Sequence, residues 1–228
     1  MVVREIVSPK ALQRKERVRA MMREDILAAA RTILKDQGYA ELSMRALGRE
    51  AGITAPTIYD YFPGKEAVLD ALFADGAEML ASEMKQAAAA AEPGAEQLQA
   101  IGSAYRRFAI ENPDLYLLLF GGADPSYTPS ETLIEKLHHV SDLATEAVQE
   151  AMDVGYLKPG SAEDVSNSMW VMAHGSVMLE MKCFRGKFDE NGGEAFFRMN
   201  MRHLYDGLGA SSATAPWSVD SGPTHPPM

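Results

Sequence analysis

From Met22 to Leu208 the apolar residues return at every third or fourth position, and this period constrains the fold more than any other feature of the chain. Such spacing gathers them on one side of a helix, whereas a half-buried strand needs alternation by two. Met22, Ile26, Ala29, Ala30, Ile33 and Leu34 form the first stripe, and Gly38 ends it where a left-handed C-cap belongs. Ser43 suits the N-cap of a short second helix over 43–51, with Leu42 and Leu47 spaced as a hydrophobic staple. Gly52 stops that helix, Thr54 caps a third over 54–61, and Ile53 with Ile58 repeats the staple spacing. A fourth helix, about 65–85, follows Pro63-Gly64 and carries Val68, Leu69, Leu72, Phe73, Met79 and Leu80. The alanine-rich stretch 87–94 closes on Pro93-Gly94 and predicts a break. Further helices are predicted over about 95–111, 113–120, 130–154, 161–185 and 193–207, with Asn112-Pro113 opening the second of these and Ser161 the fourth. The expected fold is all-α, with about nine helices. The Ser/Ala/Pro/Thr-rich residues 209–228 have no period and are expected to be disordered.

Charge divides the chain. The whole carries a net −10. Residues 1–65 hold 12 Lys/Arg against 8 Asp/Glu, and the remainder holds 10 against 24. A basic head on an acidic body suits a DNA-binding unit joined to one that must not adhere to DNA. The single cysteine, Cys183, cannot close an internal disulfide, no apolar run approaches the roughly 18 residues of a membrane span, and the first residues lack a secretory signal. These features predict a soluble, cytoplasmic chain without a membrane partner.

Two short helices joined by a glycine turn form a helix-turn-helix pattern, in which the second helix enters the major groove and the first braces it. The stretch Ala51-Gly52-Ile53-Thr54-Ala55-Pro56-Thr57-Ile58-Tyr59-Asp60-Tyr61-Phe62-Pro63-Gly64-Lys65-Glu66 resembles the signature of the tetracycline-repressor family, and the likeness runs from about residue 24 to 72. It implies DNA contacts from Ser43, Arg45, Thr54, Ala55, Thr57, Tyr59, Asp60, Tyr61 and Lys65. The hydroxyls of Thr54, Thr57, Tyr59 and Tyr61 suit phosphates, as does the charge of Lys65 at the head of the fourth helix. Ile58 and Phe62, four apart, are expected to anchor the reading helix to the core. Asp60 departs from the pattern: it either accepts from a cytosine amine or points away and pairs with a lysine or arginine. Pro56 and Ala55 stand where relatives often have a basic residue or glycine, which leaves the operator sequence open. Residues 4–23 add Arg4, Lys10, Arg14, Lys15, Arg17, Arg19 and Arg23 against Glu5 and Glu16. They are a basic arm touching DNA or a solvated helix end, and sequence alone leaves both open.

In the body, the helix at 161–185 is apolar on two sides. Trp170, His174, Val177, Met181 and Phe184 share one, expected to face the core. Met172, Gly175, Leu179 and Cys183 share the other, expected to face a second copy of the chain. The Trp170-x-x-x-His174-Gly175 run is similar to the tryptophan–histidine–glycine pattern of one C-terminal subgroup of the family. That resemblance implies a homodimer built on the last two helices, with Phe197, Met201 and Leu204 in the interface. It also implies a cavity for an unidentified small-molecule effector, lined by Tyr105, Phe108, Tyr116, Phe120, Trp170 and His174.

An enzyme is not expected. His138-His139 and His174 lie far apart without carboxylates or thiols at metal-ligand spacing, and there is no glycine-rich phosphate loop, so neither a catalytic residue, a metal nor another cofactor is assigned. The expected organisation is a basic extension at 1–20, a helix-turn-helix domain at 21–66, a ligand-binding and dimerisation domain at 67–208, and the tail. The expected function is a sequence-specific transcriptional regulator, a repressor of a palindromic operator in double-stranded DNA. The competing reading is a helical dimer whose helix-turn-helix contacts protein instead.

Overall fold

The computed structural model describes residues 9–121, 126–184, 186–188 and 192–209. The 209–228 tail, Arg4 and Glu5 fall outside these, Gly209 apart. Among the described residues there are nine α-helices and one 3-10 turn: α1 Pro9–Asp36, the turn Tyr39–Glu41, α2 Met44–Glu50, α3 Ala55–Tyr59, α4 Lys65–Ala89, α5 Ala95–Glu111, α6 Pro113–Phe120, α7 Glu131–Asp153, α8 Ala162–Lys182 and α9 Gly192–Leu208. The fold is all-α; among the described residues the one β-like feature is an isolated antiparallel bridge between Leu157 and Gly209. No described helix is long and apolar enough to cross a membrane.

The helix starts follow the caps. Ser43 Oγ accepts from the Ala46 amide at 3.2 Å, and Ser161 Oγ from the Asp164 amide at 3.1 Å. Gly38 adopts φ 89°, which a side chain would resist, and ends α1 there. Three boundaries differ from expectation. α1 begins at Pro9, because Lys, Arg, Gln and Glu between 10 and 19 are good helix formers although they bury nothing. α4 runs through the alanines to Ala89, since alanine favours helix and only Pro93 forbids it. α3 closes at Tyr59, two residues early, with Asp60 as its C-cap.

The chain forms two compact units, Met1–Ala74 with Leu117–Ser130, and Asp75–Tyr116 with Glu131–Met228. Both α4 and α6 pass from one to the other. In the first, α1 packs on α2 and α2 on α3 around Ile26, Ala30, Ile33, Leu47, Ile58 and Phe62. In the second, α5 packs on α7 and α8, α7 on α8, and α8 on α9. Phe108, Val148, Val177, Phe197 and Tyr205 are buried there.

Candidate functional site

In the first unit, the reading helix is held by its apolar side and offers the other to solvent. Ile58 is fully buried and Phe62 nearly so, whereas Tyr59 is 55% exposed and Asp60 is exposed. Thr54 caps α3 through its hydroxyl, which accepts from the Thr57 amide at 3.4 Å, and the two threonine hydroxyls lie 2.9 Å apart. α2 and α3 meet at Gly48: a Cβ there would stand 2.9 Å from the Ile53 carbonyl oxygen and 3.2 Å from the Ala55 nitrogen. Only hydrogen fits such a backbone approach. Gly52 makes the turn between them with φ 68°.

Lys65 sits at the start of α4, half-buried, and its Nζ donates to the Tyr39 carbonyl at 3.1 Å, tying α4 to the turn after α1. Arg19 donates from Nη2 to the Asp60 carbonyl at 3.1 Å and lies over the Tyr61 ring at 5.6 Å. Arg23 lies over Phe62 at 4.2 Å. Of the expected DNA-facing residues, Ser43, Arg45, Thr54, Tyr59 and Asp60 are exposed, and Ala55, Thr57, Tyr61 and Lys65 are half-buried. Sequence reading missed Gly48, Arg19 and Arg23 as fasteners of the head. The only signals were a glycine inside a helix and two arginines, four apart, on the stripe that continues the core face of α1. A cavity of about 310 Å³ opens at the head of α4, lined by Gly64, Lys65, Glu66, Leu69, Ser126 and Tyr127.

In the second unit, four of the six expected effector residues form one cluster. The Tyr105 and Tyr116 hydroxyls are 2.9 Å apart, and His174 Nδ1 lies 2.7 Å from Tyr116 Oη and 3.3 Å from Tyr105 Oη. The Tyr116 and His174 rings stack at 5.6 Å, and Trp170 tilts against His174 at 5.6 Å. Trp170 also hydrogen-bonds the Tyr105 hydroxyl. Burial pushes both tyrosine hydroxyls well above their ordinary range and pulls the His174 imidazole below its own. Phe108 is fully buried in the same unit, whereas Phe120 ends α6 in the first unit.

Two expectations for the body are corrected. The buried line of α8 is Ser166, Met169, Ala173, Ser176 and Val177; of the side expected to face the core only Val177 lies on it, and Trp170 is 45% exposed. Small residues let α8 pack closely on its neighbours, so its buried line runs through Ala173 and Ser176. Phe197 and Met201 are 2% and 3% exposed inside their own unit, so they are not surface for a second copy. The Phe197 ring lies beside Gly102 of α5, 3.5 Å from where a Cβ would stand, and Tyr205 Oη donates to the Leu98 carbonyl at 3.4 Å. Leu204 remains half-buried. On α8, Val171 and Leu179 are exposed, Cys183 at its end is exposed, Met172 is half-buried, and nothing lies within 4 Å of a Cβ placed on Gly175.

A third arrangement ties α5, α8 and α9 together. Arg106 donates from Nε and Nη2 to Glu180 at 2.9 and 2.6 Å, and from Nη1 to Glu194 at 2.7 Å. Gly193 packs so closely that a Cβ on it would overlap Glu180 Oε1.

A capped helix-turn-helix on a helical body defines a class of DNA-binding regulators, and comparison with known proteins gives the family. Residues 26–72 match the model of bacterial regulatory proteins of the tetR family, and residues 98–204 match a tetracyclin repressor-like C-terminal domain. The transcriptional regulator Rv1816 of Mycobacterium tuberculosis is 31% identical over 111 residues, 48% of this chain and 47% of that one. The regulator EthR of the same species is 52% identical over 44 residues, 19% of this chain and 20% of its own length. The chain thus spans about half the length of the first relative and a fifth of the second. A solved structure from Rhodococcus sp. RHA1, of a protein with unknown function, superposes with TM-score 0.71 at 27% identity, covering 82% of this chain and 95% of that one. The chain belongs to the TetR family of helix-turn-helix transcriptional regulators.

Proposed function

We propose that the protein is a homodimeric repressor that binds a palindromic operator in double-stranded DNA and leaves it when a small, largely apolar molecule enters the body. The observation that carries this is the reading helix: Thr54 caps it, Ile58 and Phe62 anchor it, and Tyr59 and Asp60 project from it into solvent. On this reading Ser43, Arg45, Thr54, Ala55, Thr57, Tyr61 and Lys65 meet phosphates or base edges around Tyr59 and Asp60. The dimer forms on the outward side of α8, where Met172, Gly175, Leu179 and Cys183 lie, with Leu204 of α9. The effector enters beside Trp170 and His174, with Tyr105 and Tyr116 joined to them and Phe108 buried in the same unit. Few polar groups are available there to orient it, which favours an apolar molecule with one or two hydrogen-bonding atoms. The Trp170, His174 and Gly175 run supports assigning the body to the tryptophan–histidine–glycine subgroup, and on this reading the protein works in the cytoplasm.

Selection of bound duplexes from a random pool tests the reading. A recovered palindrome with half-sites about one helical turn apart, roughly 34–36 Å or more, is the expected result. Failure to retain any duplex at low salt, by protein shown to be folded, would overturn it and favour the helix-turn-helix as a protein contact.

A further inference from the structure

α1 is longer than its core needs. Its buried residues begin at Ile26, yet the helix starts at Pro9. Every described side chain from Lys10 to Arg19 is exposed. A helical stretch without a buried face is marginal in water and draws its order from what it continues or what it meets. Here it continues α1, and its charge states what it meets. Lys10, Arg14, Lys15, Arg17 and Arg19 stand against Glu16 alone. Lys10, Arg14 and Arg17 recur at four- and three-residue steps and so form one basic stripe.

The position of this stretch is fixed relative to the reading helix. Arg19 bonds the carbonyl of Asp60, the C-cap of α3, and covers Tyr61, and one turn further Arg23 covers Phe62. The extension therefore emerges beside the end of the helix that carries Tyr59, rather than from a remote corner of the head. Beyond Arg19 it reaches to Lys10, nine residues at about 1.5 Å each, so roughly 14 Å. That is the length of about four base pairs.

We infer that residues 10–17 of α1 are a second DNA-binding element, in which Lys10, Arg14, Lys15 and Arg17 contact backbone phosphates flanking each operator half-site. This rests on the proposed DNA binding and extends it. The element adds affinity and footprint but no sequence preference, because phosphates carry none. Arg19 is spent largely on fastening the extension to Asp60 and Tyr61.

The test compares the wild-type protein with a Lys10→Gln, Arg14→Gln, Lys15→Gln, Arg17→Gln variant, both on the selected operator. Glutamine keeps helix propensity, so circular dichroism should be unchanged. Affinity is measured by anisotropy over a salt series, on duplexes ending at the palindrome and on duplexes carrying about six further base pairs each side. Four lost phosphate contacts should lower the salt slope by roughly 3 to 4 per protomer and weaken binding at least about tenfold near physiological salt. The wild type should prefer the longer duplex and the variant should not, while pool selection returns the same palindrome for both. A wild type that binds and a variant equal to it in affinity, salt slope and flank dependence overturns this inference alone. A wild type that binds no duplex overturns the DNA-binding reading and the inference with it. A changed palindrome in the variant also overturns it, since that would make the arm a base reader.

Discussion

Replacing Arg106 by leucine should cost the body far more than the loss of a surface charge. Its guanidinium and the Glu180 carboxylate are only 15% and 13% exposed, and they pair through two hydrogen bonds. Glu194 is 37% exposed and can turn to water when its partner is gone. Its share is that of a rim ion pair, about 0.2–1 kcal/mol. Glu180 has no such exit, and a carboxylate left alone in a nearly buried place costs about 3–5 kcal/mol. The loss is thus governed by Glu180, and it is a large part of the 5–15 kcal/mol that typically holds a protein folded. For a chain of this size it lowers the melting temperature by roughly 6–20 °C. The decisive comparison is the double variant Arg106→Leu, Glu180→Leu. It removes both charges from the same place and should recover to within about 1 kcal/mol of wild type, because an apolar pair fills the space without a stranded ion. Urea unfolding followed by circular dichroism at one fixed protein concentration measures all three proteins. A single variant that loses less than about 1 kcal/mol, or a double variant as weak as the single, would refute the claim that this cluster is buried and coupled.

Gly48→Ala should destabilise the head by about 1–3 kcal/mol and weaken operator binding, since the added methyl meets the Ile53 carbonyl; an exposed helical glycine would instead gain about 0.5–1 kcal/mol, so the sign of the melting shift decides. Tyr59→Ala should weaken binding to all duplexes alike, whereas Asp60→Ala should either relax one base-pair position, by about 1–3 kcal/mol, or tighten non-specific binding, and pool selection separates the two. Gly175→Leu should weaken the dimer in sedimentation at low concentration while leaving protomer stability intact, because no described residue lies within 4 Å of a Cβ placed there. Burial lowers the His174 pKa, so the unfolded chain takes up a proton near 6.5 that the folded one refuses. The stability this gives is complete above that value and falls as the pH drops below it. Melting curves at about pH 7.5 and 5.5 should therefore diverge more for wild type than for His174→Gln.

The head was legible because its signals are local. Ser43 and Thr54 announce caps, Gly52 a turn, and Ile58 with Phe62 a buried stripe, each within one or two helical turns. What sequence could not give is how segments forty residues apart fasten, as Arg19 does at Asp60. The body was read with the right helices and a misplaced face. Periodicity ranks residues by size and polarity, so Trp170 outweighed Ala173 and Ser176, yet close helix packing buries the small residues and leaves the indole at the edge. Phe197 and Met201 show the same limit: an apolar stripe states that it is covered and not by what. The clustering of Tyr105, Tyr116, Trp170 and His174 was visible only as a set of aromatic residues on three helices, without the distances that join them.

That cluster makes the protons of three side chains one shared choice. Burial holds both tyrosine hydroxyls in their protonated form. Tyr105 Oη stands 2.9 Å from Tyr116 Oη and 3.3 Å from His174 Nδ1, and Tyr116 Oη stands 2.7 Å from the same nitrogen. When Nδ1 is bare it accepts from a tyrosine and the neutral ring carries its hydrogen on Nε2; when Nδ1 holds the hydrogen it donates, and a tyrosine must turn its own proton elsewhere. The tautomer of His174 and the orientation of the two hydroxyls therefore change together, and a bound molecule that offers one donor or acceptor to any of them resets the rest.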